Sequence, residues 1–336
     1  MAHNRLQNFP YWLGHRIGEY FLKGFVVIFP WLPHSFLSAC TRAAAQLSFF
    51  LLWRYRQRME KNLSAVMVHE FPTGRETRAL VRAAWRNFAQ GIYETACSLY
   101  ASKEGICTTV AIQGEEHLER CLARGKGVIG LSAHLGNFTM IGPRLAAAGY
   151  PFSVVVKQPR DQGIARLIDS YRARLGVRTI SARPRREAAR QIVKALRGNE
   201  VVLLIADEFK STGIEVNFFG RLSRVPRGPV TLTLRTGAAL VPMFVTRESE
   251  GRLTLQICPE LDLMQTGNVQ EDVTANVALF SRTLEAMIRR YPDQWNWLGF
   301  REDGKRPRRK IGLSKPKTSL TLSQDDLPPS SPRSPF

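Results

Sequence analysis

The chain has 336 residues, enough to bury a sizeable core as one large domain or two smaller ones. Its 44% hydrophobic content excludes both global disorder and a bundle of repeated membrane spans, and 48 basic against 28 acidic residues leave a net charge of +20. A surplus of that size calls for a polyanionic partner. The chain holds no zinc-finger spacing, aromatic-rich ribonucleoprotein motif or heptad-linked basic helix. An anionic membrane surface therefore fits better than nucleic acid, which rests on charge alone. Five cysteines (Cys40, Cys97, Cys107, Cys121, Cys258) have no paired short spacing, so reduced thiols are expected rather than a disulfide framework or a metal site.

In chain order, Gly24 to Thr41 carries no formal charge but includes Pro30, Pro33 and His34, which makes a poor straight transmembrane helix. Ala43 to Trp53 is too short to span. It runs into Arg54-Tyr55-Arg56-Gln57-Arg58, a basic-aromatic collar suited to phospholipid headgroups. An interfacial helical anchor over residues 1–58 fits these features. The plain alternative is two core helices of a soluble domain, with Trp12, Trp31 and Trp53 simply packed. Leu37-Ser38-Ala39-Cys40 has the form of a lipoprotein cleavage box, although Pro33 and His34 interrupt the apolar run before it.

Glu76 to Ser102 shows helical spacing in Leu80, Ala84, Phe88 and Ile92. From Val110 the pattern alternates. Strands are expected at Val110-Ile112, Val128-Leu131, Phe152-Val156, Val177-Ile180, Val201-Ile205, Ala239-Val245 and Leu253-Ile257. Helices are expected at His117-Arg124, Asn137-Ala148, Ile164-Leu175 and Arg186-Arg197, with a further one at Val273-Arg290. Such alternation implies an α/β fold of three layers, a largely parallel sheet flanked by helices, over residues 59–304. Residues 305–336, basic and then rich in Ser and Pro, are expected to form a disordered tail.

Ser132-Ala133-His134-Leu135-Gly136-Asn137-Phe138-Thr139 places a histidine directly after the strand-like run Gly127 to Leu131. The carboxyl end of a strand at the mouth of a crevice is where an α/β protein holds reacting groups. A neutral imidazole suits proton abstraction near pH 7. The helix expected to begin around Gly136-Asn137 offers N–H groups to an anion or oxyanion. Taken alone, a histidine after a strand is more often structural than catalytic.

The stretch resembles the His-x4-acid motif of lysophospholipid acyltransferases, most closely the His-Phe-Gly-Asn-Trp-Glu form of bacterial lipid A late acyltransferases. Further blocks are similar to that family in order: Val154-Val155-Val156-Lys157 with Arg172-Ala173-Arg174-Leu175-Gly176, then Leu203-Leu204-Ile205-Ala206-Asp207. Val216-Asn217-Phe218-Phe219-Gly220-Arg221 and Pro226-Arg227-Gly228-Pro229 follow. Leu234-Arg235-Thr236-Gly237-Ala238 with Val241-Pro242, and Tyr291-Pro292-Asp293-Gln294-Trp295-Asn296-Trp297, complete the series. The chain departs from the pattern at Thr139, where the family has a carboxylate, at Lys157, where it has arginine, and at Gly299, where it has histidine.

The resemblance implies a membrane-associated acyltransferase at the cytoplasmic face of a bacterial inner membrane. It would move a fatty acyl group from a thioester of acyl carrier protein or coenzyme A to a hydroxyl of a lipid A precursor, a related anionic glycolipid or a lysophospholipid. It also implies His134 as general base, with Thr139 in the acid position and Asp207 nearby. Asn137, Lys157, Arg174, Phe219, Gly220 and Arg221 are implied on the substrate side. Neither a metal nor a resident cofactor is implied. Oligomeric state stays open. Three readings of Thr139 also remain open: His134 works with another carboxylate such as Asp207 or Glu208, the transferase is slow or altered, or the protein is catalytically silent and binds lipid or a partner.

Overall fold

The computed structural model describes residues 31–67, 70, 73–159, 161–207, 209, 213–248 and 250–299. Two compact units divide the chain, Met1–Gly304 and Lys305–Phe336. The second unit, which holds the Ser/Pro-rich tail, lies outside the described residues, as do residues 1–30 with Trp12.

Helices come first: α1 (His34–Leu51), α2 (Trp53–Ser64), α3 (Gly74–Ser98) and the short α4 (Lys103–Thr109). A capping box starts α3, with Thr73 Oγ1 accepting from the Glu76 amide and the Glu76 carboxylate accepting from the Thr73 amide. Strands and helices then alternate through β1 (Val110–Gln113), α5 (Glu115–Leu122), β2 (Val128–Ser132), α6 (Ile141–Ala147) and β3 (Phe152–Val156). The pattern continues with α7 (Gln162–Arg174), β4 (Val177–Ser181), α8 (Arg185–Arg197) and β5 (Val201–Ile205). A hairpin of β6 (Ile214–Phe218) and β7 (Arg221–Val225) precedes α9 (Gly228–Thr236), β8 (Ala239–Arg247), β9 (Leu253–Ile257) and α10 (Val269–Arg290).

Seven strands form one sheet in the order β1-β9-β8-β2-β5-β3-β4, every pairing parallel except β8 with β9. Successive side chains of a strand point to opposite faces, and β2 shows what lies on each. Ile129 and Leu131 join a core with Ile192 of α8 and Phe280 of α10, whereas Val128 joins another with Ile141 and Leu145 of α6. Both faces of the central strand are therefore covered, and all five of its residues are buried. A strand covered on both faces reads as a continuous apolar run, which is the pattern the sequence shows there.

The N-terminal expectation changes in detail. Residues 24–30 of the first apolar segment lie outside the described residues; its His34–Thr41 part and the second segment as far as Leu51 form one helix, α1, and the basic collar lies inside α2 rather than at the end of an anchor. Among the described residues no single helix is long and apolar enough to cross a membrane; α1 and α2 meet the requirement only as a pair bent by 82°. A boundary at residue 58 would also cut α2. Leu63 of α2 and Met67 beyond it are buried in the main core. Asn62 Nδ2 donates to the Trp297 carbonyl at 2.7 Å, and Arg58 Nη2 donates to the Leu298 carbonyl at 3.0 Å. The helical region and the sheet domain are thus joined by one buried and one partly buried hydrogen bond. Replacing Asn62 by Ala leaves a buried carbonyl short of a partner, and urea unfolding should show a loss of about 1–3 kcal/mol.

Candidate active site

The site follows from the register of two neighbouring strands. Ser132 of β2 pairs with Ile205 of β5, so two residues further on His134 lies across from Asp207. His134 Nδ1 is 2.7 Å from Asp207 Oδ1. Asp207 Oδ2 accepts the His134 backbone N–H at 2.8 Å and the Trp295 indole N–H at 2.9 Å. The Asp207 side chain is 3% exposed and the His134 side chain 31%. A buried carboxylate thus receives three donors and turns a half-buried imidazole outward. With Nδ1 committed to Asp207, proton exchange with a substrate falls to Nε2. The ring is also braced by Phe138, edge-on at 5.0 Å between centroids.

The residues after His134 are clamped from two sides. The amide of Gly136 donates to the Gln294 carbonyl at 2.8 Å and that of Asn137 to the Val245 carbonyl at 2.9 Å. The amide of Asn296 donates to the His134 carbonyl at 3.1 Å. Gly136 has φ +58°, and a Cβ there would stand 2.0 Å from the Val245 carbonyl oxygen, so only glycine fits. This corrects one expectation: the Gly136 and Asn137 amides are used inside the protein, and the segment continues as a 3-10 turn (Phe138–Met140) before α6. Those two N–H groups are not an oxyanion site.

Thr139 does not approach the imidazole. Its hydroxyl donates to Asn137 Oδ1 at 2.6 Å and lies 2.6 Å from the Thr95 hydroxyl of α3. Asn137 is 4% exposed and donates to Glu94 Oε2 at 3.0 Å; it is a brace rather than a substrate ligand. Glu94 in turn takes a bidentate pair from Arg247, at 2.6 and 2.8 Å, with both side chains largely buried. Gln294 closes the ring of contacts, exchanging two 2.8 Å bonds with the Arg247 backbone. Glu94 and Arg247 carry no local sequence signal for this role, because their partners lie far away along the chain, whereas Gln294 belongs to the Tyr291–Trp297 block of the resemblance.

The other expected residues scatter. Lys157 follows β3 at the same carboxyl edge as His134, two strands away and thus about 10 Å to the side. Arg174 ends α7 just before β4, at the opposite edge of the sheet. There its guanidinium stacks on Tyr100 and Tyr171 at 5.7 and 5.6 Å. Burial pushes the Tyr100 hydroxyl up to about 12, so a neutral ring faces that cation. Phe219 and Gly220 form a two-residue hairpin loop with φ of 53° and 75°, the type I′ combination. A phenylalanine pays for that backbone, and it stays because its ring is buried, stacked on Trp295 at 6.0 Å and touching Trp297. Arg221 donates to the Ala65 carbonyl at 2.8 Å. Phe219 therefore packs beneath the site through Trp295, Arg221 ties the hairpin to the end of α2, and Gly220 is exposed at the turn. Glu208 lies outside the described residues.

The model of a family described as bacterial lipid A biosynthesis acyltransferase matches residues 11–301. A phosphatidylinositol mannoside acyltransferase of Mycolicibacterium smegmatis is 29% identical over 225 residues, 65% of this chain and 71% of the relative. One of Mycobacterium tuberculosis is 32% identical over 192 residues, 56% of this chain and only 58% of the relative. A lipid A biosynthesis acyltransferase of Haemophilus influenzae is 22% identical over 248 residues, covering 73% and 74% of the two chains.

Three outcomes are expected from this geometry. Asp207→Asn should cut turnover by roughly 10³–10⁴-fold with the fold retained, since the amide can hold the wrong tautomer. Thr139→Glu should give no gain, because position 139 faces Thr95 and Asn137; steady-state rates on the two variants decide this. Phe219→Ala should instead lower stability by about 3 kcal/mol in urea unfolding, as loss of a packed core ring does.

Proposed function

Because the chain belongs to the bacterial lipid A biosynthesis acyltransferase family and is an acyltransferase, we propose that it moves a fatty acyl group from a thioester to a sugar hydroxyl of an anionic glycolipid. The observation that carries the chemical part is the His134–Asp207 pair at the carboxyl edge of β2 and β5. Nε2 of His134 takes the proton of the acceptor hydroxyl as its oxygen attacks the thioester carbonyl. Asp207 holds the tautomer and stabilises the imidazolium that forms. The tetrahedral oxyanion collapses, the C–S bond breaks, and the departing thiolate takes the proton back from Nε2. An ester and a free thiol result. Supplying this carboxylate from β5 answers the departure at Thr139, which had favoured a silent lipid-binding protein.

The acceptor is a glycolipid of the kind named for the relatives, a phosphatidylinositol mannoside or a lipid A precursor. Lys157 lies at the right edge to hold its phosphate. Arg183, Arg185 and Arg186 follow β4 at that same edge, one strand further out. They replace Arg174 in this role. The donor is an acyl thioester of acyl carrier protein or coenzyme A, and the setting is the cytoplasmic face of the inner membrane. The +20 charge suits that anionic surface.

The test incubates the full chain with each thioester and with each of the two glycolipids, and follows acylated product by mass spectrometry. One donor–acceptor pair should give product, and His134→Ala should reduce it by at least roughly 10³-fold. Product formation by a well-folded His134→Ala variant at the parent rate would remove the imidazole from the mechanism. No product from any pair would overturn the glycolipid reading.

A further inference from the structure

Two tryptophans lie among the rings packed beneath the His134–Asp207 pair, and their N–H groups are used differently. A buried indole needs an acceptor for that group. Trp297 finds one within its own segment, the Pro292 carbonyl at 2.7 Å. Trp295, only 3% exposed, donates instead to Asp207 Oδ2 at 2.9 Å. A phenylalanine at position 295 would fill much of the same apolar space. The N–H is what tryptophan adds, and it is aimed at the carboxylate that holds the imidazole.

The backbone keeps the indole in register with this acceptor. Leu135 and Trp295 face one another as an antiparallel bridge. Its two hydrogen bonds run from the Gly136 amide to the Gln294 carbonyl and from the Asn296 amide to the His134 carbonyl. His134, Asp207 and Trp295 therefore close a ring. The imidazole meets the carboxylate, the carboxylate meets the indole, and the indole returns through its own backbone to the segment that carries the imidazole.

That closure matters because a carboxylate turns easily about its last torsion, which is broad and twofold. Two N–H groups on Oδ2, the Trp295 indole and the His134 amide, hold the torsion and leave Oδ1 facing His134 Nδ1 at 2.7 Å. Both donors are neutral. Among the described residues no lysine or arginine pairs with Asp207, so no fixed cation cancels its charge before an imidazolium forms.

We propose that Trp295 is a positioning residue for acyl transfer: its indole N–H fixes the Asp207 carboxylate in the orientation that supports the His134 imidazolium in the transition state. This rests on the reading of His134 as the general base. A buried group that acts through Asp207 serves the chemical step rather than substrate binding, so its loss lowers kcat and leaves KM.

The experiment compares the full chain with Trp295→Phe and, as a control, with Trp85→Phe. Trp85 of α3 also makes an indole bond, 3.0 Å to Ser48, and packs edge-on against Phe49, but at the contact with α1. Steady-state rates are measured with whichever thioester and glycolipid pair gives product, and thermal unfolding alongside. The far-downfield proton resonance of His134 Nδ1–H is recorded without substrate and assigned by its loss in His134→Ala. Trp295→Phe should lower kcat roughly 10–100-fold, the range seen when a partner that orients a ligand histidine is lost. Its KM values should stay within about twofold of the parent, and the resonance should move upfield as the Nδ1 bond loosens. Trp85→Phe should lose stability while keeping kcat within about twofold and the resonance unmoved. If Trp295→Phe does not fold, the benzothiophene analogue of tryptophan at position 295 puts sulfur in place of the N–H and keeps both rings. Parent kcat with an unmoved resonance, in either form, would overturn the proposal. So would a change confined to KM, which makes the indole part of a substrate wall, or an equal fall in kcat for Trp85→Phe, which makes it an ordinary core ring. If no pair gives product, or His134→Ala keeps the parent rate, the general-base reading falls, and the resonance still decides whether Trp295 holds the carboxylate.

Discussion

The structure turns on one buried carboxylate. Asp207 accepts from the His134 ring, the His134 backbone and the Trp295 indole, and those three donors come from parts of the chain 73 and 88 residues away. Burying an ionised group is costly unless its lone pairs are met, and here each oxygen is engaged. The arrangement fixes more than a side chain. Binding both the ring and the backbone amide of His134 allows the imidazole one orientation, and binding Trp295 fastens the segment after α10 to the end of β5. Loss of Asp207 would remove the orienting group and the fastening together.

Around that carboxylate the active edge is built in two shells of different character. The inner one is dry and aromatic: Phe218, Phe219, Trp295 and Trp297 pack ring against ring beneath the pair. The outer one is polar and continuous, running from Thr139 through Asn137 and Glu94 to Arg247 and Gln294. The first keeps water from Asp207, where a low dielectric strengthens its bonds. The second holds the backbone after His134 against α3 and β8. The side chain at 139 belongs to this outer shell, so a threonine there in place of a carboxylate changes a brace and leaves the His134–Asp207 pair intact.

Much of the sheet was legible in the sequence because its inner strands are apolar on both faces. Phe152–Val156 and Val201–Ile205 fall close to where the apolar runs end, whereas Leu253–Ile257 alternates with Thr254 and Gln256 and shows the two-residue period instead. The β6–β7 hairpin was missed. Its strands alternate with Glu215, Asn217, Ser223 and Arg224, and its turn uses a phenylalanine where the turn type favours Asn or Gly. The helices α4 and α9 were missed for being short, the second also for opening on Gly228-Pro229. At the site, His134 and Asp207 were readable because each follows a strand. The choice between Asp207 and the motif position could not be read, since it depends on strand register, which no local pattern encodes. Arg174 misled for a related reason: its motif sits at the amino end of a strand, and sequence spacing does not say which edge of a sheet a residue reaches.

The bonds that complete the site span unusually long stretches of chain. Asn87 meets Asp293, Asn62 meets Trp297, and Arg58 meets Leu298, across 206 to 240 residues. Translation proceeds from the amino end, so α1 to α3 leave the ribosome well before the Tyr291–Trp297 segment that locks them. During that interval α1 to α3 lack their partners in the later segment, and Asp207 lacks its Trp295 donor. Closing such distant contacts is slow and entropically costly, so the Tyr291–Trp297 segment acts as a latch that completes the surroundings of Asp207 only when the first helices and the end of the sheet domain have met.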